Sequence, residues 1–181
     1  MPAPQSLLIS ILAFLLAAAA VAEPAAEAPT FTLADATGAE HTLPAEQDGV
    51  GVYLFWASWC PYCKALMPHL QSVVDEYGDR VTVYALNFRD DNDPRGFMSE
   101  KGFDFTLLPD ADAVAGAWGA RATPALYIVD DQGHLRFDLY DVITEDPPGF
   151  DEMSHTQRAA RRAPLWAARI RAALDEVLAA D

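Results

Sequence analysis

The sequence predicts an α/β fold in which helices flank a mixed central sheet, and three observations lead to this prediction. Val50 to Trp56 is a continuous apolar run of β-forming residues, typical of a strand buried on both faces. Pro61 to Tyr77 follows with apolar residues at helical spacing, and Val81 to Phe88 is a second buried strand. Later, Pro124 to Val129 and His134 to Tyr140 flank a glycine-containing turn and form a hairpin. Together these elements place parallel and antiparallel strands in one sheet.

The remaining elements are shorter and are predicted from turn residues and apolar spacing. We expect an N-terminal hairpin, then a helix, a short strand and a short helix between the second buried strand and the later hairpin, and finally an amphipathic helix. In chain order these are Phe31 to Leu33 with His41 to Leu43, Asp93 to Lys101, Phe105 to Leu108, Ala111 to Trp118, and Leu165 to Leu178.

The N-terminus is predicted to be an export signal outside the folded domain. Leu7 to Ala22 is almost entirely apolar and ends in Ala20-Val21-Ala22, the small-x-small pattern that a signal peptidase cleaves. The run is short for a spanning helix, which needs roughly 20 apolar residues, but no basic residue precedes it, so an uncleaved anchor stays an alternative. We predict a signal peptide or anchor over residues 1–22, a solvated linker over 23–29, and a mature chain beginning at Glu23.

Composition narrows the classes of function. The chain has 12 Lys and Arg against 27 Asp and Glu, a net charge of -15, which argues against nucleic acid because phosphate binding needs clustered positive charge. Two cysteines exclude a disulfide-rich scaffold and a four-cysteine zinc site within one chain. We expect a monomeric, periplasmic domain over residues 30–181, with no cofactor and no bound metal, that meets the membrane only through its signal or anchor.

The residues that carry chemistry are Trp59-Cys60-Pro61-Tyr62-Cys63, between a buried strand and a helix. A thiol in the first helical turn is near the positive end of the helix dipole and free N–H groups, so its thiolate is favoured. Pro61 suits this position because its missing N–H would be unpaired there. Cys63 lies one turn deeper, close enough to attack a mixed disulfide on Cys60. The pattern predicts a redox-active pair, with Cys60 as the exposed nucleophile and Cys63 as the shielded resolving thiol.

The two thiols have other possible roles. A zinc site would need further ligands from the same helix, such as His69 or Asp75, and a disulfide closing so small a loop adds little stability. Copper(I) binding by the two thiolates, aided by Met153 or His155, is chemically reasonable. A non-enzymatic copper chaperone therefore stays the alternative function.

At these residues the sequence resembles thioredoxins. Phe55 to Cys63 is similar to the family's active-site strand and helix, and Pro68 matches the proline that kinks that helix. Thr123-Pro124 resembles the family's cis-proline, which lies against the cysteine pair. The N-terminal hairpin and an extra segment from about Phe97 to Trp118 resemble the exported TlpA-like branch. That branch includes thiol–disulfide reductases of cytochrome c maturation and copper-oxidase assembly.

The resemblance covers about Pro29 to Tyr140 and implies a thioredoxin fold with an N-terminal hairpin and a central insertion. It also implies disulfide exchange with protein dithiol or disulfide substrates, and re-reduction by a membrane thiol–electron donor. The residues that it implies as supporting the cysteine pair are Trp59, Pro61, Tyr62, Thr123 and Pro124.

Four positions depart from the family pattern. Thioredoxins carry a buried aspartate where this chain has Leu54, and some TlpA-like reductases carry a glutamate where it has Leu66, so no base for Cys63 is identified. Pro61-Tyr62 resembles glutaredoxins and some exported isomerases, and the dipeptide influences the redox potential. We expect a pair somewhat more oxidising than thioredoxin. Reduction, isomerisation and oxidation all remain open as the direction.

Two further stretches of the chain receive an interpretation. Thr144 to Pro164 follows a strand that returns toward Pro124, so it is expected near Cys60, either as an ordinary surface loop or as a flap that selects the partner. Ser154 or Thr156 is suited to cap a helical stretch within it. Asp90, in the loop after the second buried strand, is interpreted as a solvated loop residue.

Overall fold

The computed structural model describes residues 25–143 and 149–180. The predicted signal peptide, the first two residues of the linker, Thr144 to Pro148 and Asp181 lie outside the described residues. The helices and strands are β1 Phe31–Ala34, β2 Glu40–Leu43, β3 Val50–Trp56, α1 Pro61–Tyr77, β4 Val81–Asn87, α2 Pro94–Lys101, β5 Thr106–Leu108, α3 Asp112–Ala117, β6 Ala125–Val129, β7 Leu135–Asp138, α4 Leu139–Val142 and α5 His155–Ala180. Within these ranges, no helix has the length and apolar character needed to cross a membrane.

The central sheet is mixed, as the sequence predicts. Its strand order is β5-β4-β3-β6-β7, with β3 parallel to β4, β4 parallel to β5, and the two remaining pairs antiparallel. All seven residues of β3 are buried, because this strand has neighbours on both edges and packed layers on both faces. Since β3 leads directly into the cysteine motif, the most constrained strand of the fold positions the thiols.

The predicted insertion completes the sheet. Its middle part forms β5, which pairs with β4 as an edge strand, while α2 and α3 flank it in the chain. The N-terminal hairpin forms a separate two-stranded sheet of β1 and β2. The Ala36 N–H in its turn donates to the Leu107 carbonyl at 2.9 Å, so the hairpin is attached to the edge strand.

Alternate residues of β3 serve the two halves of the core. Leu54 and Trp56 belong to a cluster with α1 and α5 that includes Ile170, whereas Tyr53 and Phe55 belong to an aromatic cluster on the other side with Trp118. The rings of Tyr53 and Trp118 lie 4.7 Å apart. The helix that carries the cysteine motif, α1, therefore packs with α5 on one face of the sheet, and the aromatic cluster covers the other face.

The C-terminal helix begins ten residues earlier than predicted, so the predicted start at Leu165 is wrong. The Ser154 hydroxyl accepts from the Gln157 N–H at 3.3 Å, and the Gln157 side chain accepts from the Ser154 N–H at 2.9 Å. This reciprocal cap starts α5, and Pro164 lies inside the helix instead of preceding it. Residues 155–164 are therefore helical and do not form a loop.

The strand β7 is shorter than predicted. It ends at Asp138, whose side chain accepts from the Tyr140 N–H at 2.8 Å and starts the one-turn helix α4. The Tyr140 hydroxyl donates to the Ala122 carbonyl at 2.8 Å, so the chain does return to the edge near Pro124, as expected.

Packing of α5 against α1 should contribute a large share of the stability. Ile170 is fully buried between these layers, so Ile170→Ala is expected to lower the free energy of unfolding by about 3 kcal/mol through lost burial and a cavity. Leu165→Ala is the matched control, because Leu165 is 64% exposed on the same helix and should change stability by less than about 0.5 kcal/mol. Urea unfolding measures both, and equal losses would contradict this packing.

Candidate active site

Cys60 is the N-cap residue of α1, and its sulfur faces the helix terminus. The Sγ atom accepts from the Cys63 N–H at 3.1 Å, and Pro61 occupies the first helical position. The free N–H groups of the first turn and the helix dipole both stabilise negative charge at this point. The sequence therefore places the thiol where a thiolate is favoured, as predicted from the motif.

The two thiols have opposite acidities. A hydrogen bond from the Cys63 side chain is the main cause that lowers the pKa of Cys60 to about 6, with burial opposing it and Thr123 and backbone N–H groups assisting. Burial, followed by the hydrogen bond and charge of Cys60, raises the pKa of Cys63 well above its ordinary value. At neutral pH one sulfur of the pair is therefore ionised and the other protonated.

The nucleophile predicted to be exposed is covered, and this expectation was wrong. Only 1% of Cys60 is exposed, and Cys63 is fully buried. Thr123 lies close by, with its carbonyl oxygen 3.5 Å from the Cys60 sulfur, which donates to it when protonated. Cys60 is reached through a groove of about 340 Å³ and not from an open surface.

The Thr123–Pro124 peptide bond is cis, as predicted from the resemblance to thioredoxins. The Thr123 side chain forms hydrogen bonds that lower the pKa of both Cys60 and Cys63. Thr123 therefore favours the ionised form of both thiols, although it lies 63 residues beyond Cys60. The backbone at this position forms one wall of the groove.

The other predicted supporting residues also line the groove. Trp59 is 54% exposed, and its indole N–H donates to the Arg89 carbonyl at 2.8 Å, which fixes the ring at the opening. Pro61 and Tyr62 form the wall on the α1 side. The complete lining is Trp59, Cys60, Pro61, Tyr62, Phe88, Arg89, Arg121, Ala122, Thr123 and His155.

Asp90 anchors the loop that leads to the cysteine motif, so its interpretation as a solvated residue was wrong. One of its carboxylate oxygens accepts from the Ser58 N–H and from the Asn87 side chain, and the other accepts from the Ser58 hydroxyl at 3.0 Å. Burial alone would raise the pKa of Asp90, but the hydrogen bonds from Asn87, Ser58 and Asn92 outweigh it and lower the pKa to about 2. The carboxylate thus joins the end of β4 to the turn before Trp59.

The start of α5 also contributes to the site. The ring of His155 lies edge-on to the ring of Tyr62, with their centroids 6.1 Å apart. Trp166, on the same helix as His155, also contacts Tyr62, with the ring centroids 5.9 Å apart. His155 lines the groove beside Cys60. The expectation that the segment from 144 to 164 lies near the active site is therefore confirmed for its helical part. Phe150, in the same segment, is buried.

The two positions at which the resemblance to thioredoxins and TlpA-like reductases leads one to expect an acid are apolar. Leu54 and Leu66 are fully buried in the core cluster that also contains Cys63. Among the described residues, no group of three or more His, Cys, Asp or Glu side chains has an arrangement that would hold a metal ion. The polar contacts of the Cys63 sulfur are instead those with Cys60, Thr123 and the Ala57 backbone.

Sequence reasoning missed several residues of this site, because they come from distant parts of the chain. Some of these residues follow β4, one precedes β6, and one begins α5. They lie close to the cysteine motif only in the folded structure. For the residues after β4, one signal was available in the sequence: they follow the carboxyl end of a buried parallel strand, where binding sites of α/β proteins are commonly located. The missed residues are Phe88, Arg89, Asp90 and Arg121, and His155, which was considered only as a copper ligand.

A dithiol at a helix N-terminus, opposite a cis-proline and at the end of a central strand, defines the class of thioredoxin-like thiol–disulfide oxidoreductases. The chain belongs to the AhpC/TSA family, whose model matches residues 24–138. It is 28% identical over 114 residues to the thioredoxin-like protein YneN of Bacillus subtilis, covering 61% of this chain and 67% of YneN.

The chain is similar to two further proteins, of which the first has a name that agrees with this assignment. The chain is 40% identical over 93 residues to a thiol:disulfide interchange protein, a DsbE homolog of Paracoccus denitrificans, and spans about half of each chain, 49% in both cases. The crystal structure of a hypothetical protein from Sinorhizobium meliloti matches with a TM-score of 0.62 and 25% identity over 87% of this chain and 85% of the other. The predicted resemblance to thioredoxin-like oxidoreductases is confirmed.

The acidity of Cys60 should appear in its alkylation. The rate of reaction of the reduced protein with limiting iodoacetamide should rise with pH through an apparent pKa of about 6 and level off above it, because only the thiolate reacts. Mass spectrometry of the labelled peptides should place the label on Cys60, while Cys63 stays protonated and covered. Preferential labelling of Cys63, or a midpoint near 9, would contradict the geometry.

Asp90→Asn should loosen the turn before the cysteine motif. Losing the carboxylate hydrogen bonds should lower the free energy of unfolding at pH 7 by about 1–2 kcal/mol. Because the pKa of Asp90 is lowered in the fold, its contribution is complete above the ordinary value of 3.8 and is lost as the pH falls through about 2. Asp91→Asn, at an exposed position, is the control and should leave stability unchanged in urea unfolding.

Proposed function

We propose that this protein is an exported thiol–disulfide oxidoreductase in which Cys60 is the nucleophile and Cys63 the resolving thiol. The observation that carries the proposal is the opposite shift of the two pKa values within one pair, to about 6 for Cys60 and upward for Cys63. A stable thiolate beside a protonated thiol is the starting state that two-step disulfide exchange requires.

The exchange proceeds in two substitutions at sulfur. The Cys60 thiolate attacks one sulfur of a substrate disulfide, forms a mixed disulfide with it, and releases the other substrate sulfur as a thiolate. Cys63 then loses its proton, attacks the Cys60 sulfur, and releases the second substrate thiolate. The substrate gains two electrons, and the protein is left with a Cys60–Cys63 disulfide.

The resolving step needs help, since the pKa of Cys63 is raised. Once Cys60 is in a mixed disulfide, its negative charge is gone, and so is the repulsion that adds to the high pKa of Cys63. The hydrogen bond from the Thr123 side chain then favours the emerging Cys63 thiolate. We propose that Thr123 and the released substrate thiolate, which can accept a proton, together replace the missing carboxylate base.

The substrates proposed are proteins. A groove of about 340 Å³ beside an exposed Trp59 suits an extended peptide segment, which could pair with the backbone at Thr123. Maturation of cytochrome c or of a copper oxidase is the proposed setting, with the domain in the periplasm. Oxidised protein would be re-reduced there by a membrane thiol–electron donor, because the compartment itself does not supply reducing equivalents.

The proposed pair is more oxidising than one with ordinary thiols. A lowered pKa of Cys60 stabilises the reduced form, because the thiolate exists only in that form. The same property makes Cys60 a good leaving group when a second substrate thiol attacks the substrate sulfur of the mixed disulfide, which releases the substrate with a disulfide and Cys60 as a thiolate. Both effects support the proposal that the pair exchanges disulfides with partner proteins and is not a disulfide that only stabilises the fold.

A trapping experiment tests the proposal. The protein should accelerate reduction of insulin by dithiothreitol, and Cys60→Ser and Cys63→Ser should each lower this activity by at least about 100-fold. Cys63→Ser, expressed with export intact, should accumulate mixed disulfides with partner proteins through Cys60. Cys60→Ser is the matched control and should accumulate none.

Two outcomes would contradict the proposal. Mixed disulfides that form through Cys63 would reverse the assigned roles. Absence of insulin reduction, together with stoichiometric copper(I) binding by the reduced protein, would favour the copper chaperone that the sequence leaves as the alternative.

A further inference from the structure

The groove beside Cys60 has a charge opposite to that of the protein as a whole. The chain carries a net charge of -15, yet the charged side chains that line this groove are Arg89 and Arg121, and His155 lines it too. No carboxylate is present among the described residues of the lining. A local cationic surface on an acidic protein is the pattern expected where a partner of opposite charge binds.

Arg89 is held in place at the groove. Its guanidinium lies 5.3 Å from the Phe88 ring, and its Nη1 donates to the Arg121 carbonyl at 3.4 Å. Its backbone carbonyl accepts from the Trp59 indole, so the residue is tied to the cysteine motif. A cation fixed by the fold loses less conformational entropy on binding than one on a free side chain.

The cationic surface continues away from Cys60. A second depression of about 220 Å³ shares Arg89 and Arg121 and extends to Gly119 near the end of α3. Its one described acidic residue, Asp112, accepts from the Arg89 backbone N–H at 3.5 Å. Within the described chain, neither guanidinium forms an ion pair with a carboxylate, although the charge of Arg121 also acts on Asp138.

We propose that this surface binds an extended segment of the partner protein in which Asp or Glu residues lie within a few positions of the reactive cysteine. The partner sulfur would reach Cys60 in the first depression, and its neighbouring carboxylates would bind Arg89 and Arg121. The inference rests on the proposed function and adds to it the chemistry by which this site selects its substrates.

Matched peptide disulfides test the inference. Three peptides carry one cysteine as a mixed disulfide with a neutral thiol and differ only in flanking Asp, Asn or Lys residues. Rates of reduction by the reduced protein are measured at low salt and at 0.5 M NaCl. Each rate is divided by the rate of the same variant with hydroxyethyl disulfide, a neutral small substrate, so that changes in thiol reactivity cancel.

For the wild type, the Asp peptide should react faster than the Lys peptide, and the ratio should shrink at high salt. Arg89→Gln and Arg121→Gln should each lower the Asp-to-Lys ratio by about fivefold, as expected for one charge pair near 4 Å in water. Arg121→Lys should retain most of the preference. Arg80→Gln, which removes one charge beside the start of β4 at the opposite end of the sheet, is the matched control and should leave the ratio unchanged.

The outcomes separate this inference from the proposed function. If hydroxyethyl disulfide is not reduced by any form of the protein, the proposed function itself fails. If it is reduced but the Asp peptide has no advantage, or Arg80→Gln lowers the ratio as much as the groove variants, the acidic partner is wrong while the exchange chemistry stands. Glutathione disulfide reacting faster than the Asp peptide would assign the surface to small acidic thiols and would also overturn the inference.

Discussion

The contact between the Cys63 N–H and the Cys60 sulfur is the interaction on which the rest of the site depends. It exists because Cys60 is the N-cap of α1, where the first turn has N–H groups without helical partners. The same arrangement aims the Cys63 side chain at Cys60, which lowers one pKa and raises the other. The chemistry of the pair is therefore a property of how this helix begins.

The fold serves to hold that helix start in place. The buried strand β3 ends at Trp56, and the turn that follows is fixed by Asp90 from the end of the neighbouring strand. On the other side, Thr123 approaches from the start of β6, the antiparallel neighbour of β3. The adjacent strands β4 and β6 thus support the turn and the sulfurs, while α5 adds His155 from the helical layer.

Local signals in the sequence predicted the parts of this site that local structure builds. The apolar run from Val50, the proline at the first helical position and the cysteine spacing together predicted β3, α1 and the acidic thiol. Asp90 contacts Ser58 from 32 residues away, and no local pattern distinguishes it from a solvated loop aspartate. A helical stretch capped by Ser154 was predicted and is confirmed, but its continuation through Pro164 into one helix was missed, because a proline inside a helical pattern usually marks a boundary.

The cover over Cys60 has a consequence for the resistance of this thiolate to irreversible oxidation. A thiolate at neutral pH is the form that peroxides convert to sulfenic acid and then, irreversibly, to sulfinic acid. With 1% of Cys60 exposed and the Cys63 thiol in hydrogen-bond contact, a sulfenic acid at this position would meet a partner thiol before a second oxidant and would condense to the disulfide. The cover that restricts substrates to those able to enter the groove thus also limits oxidative damage to a state that the normal catalytic cycle can reverse.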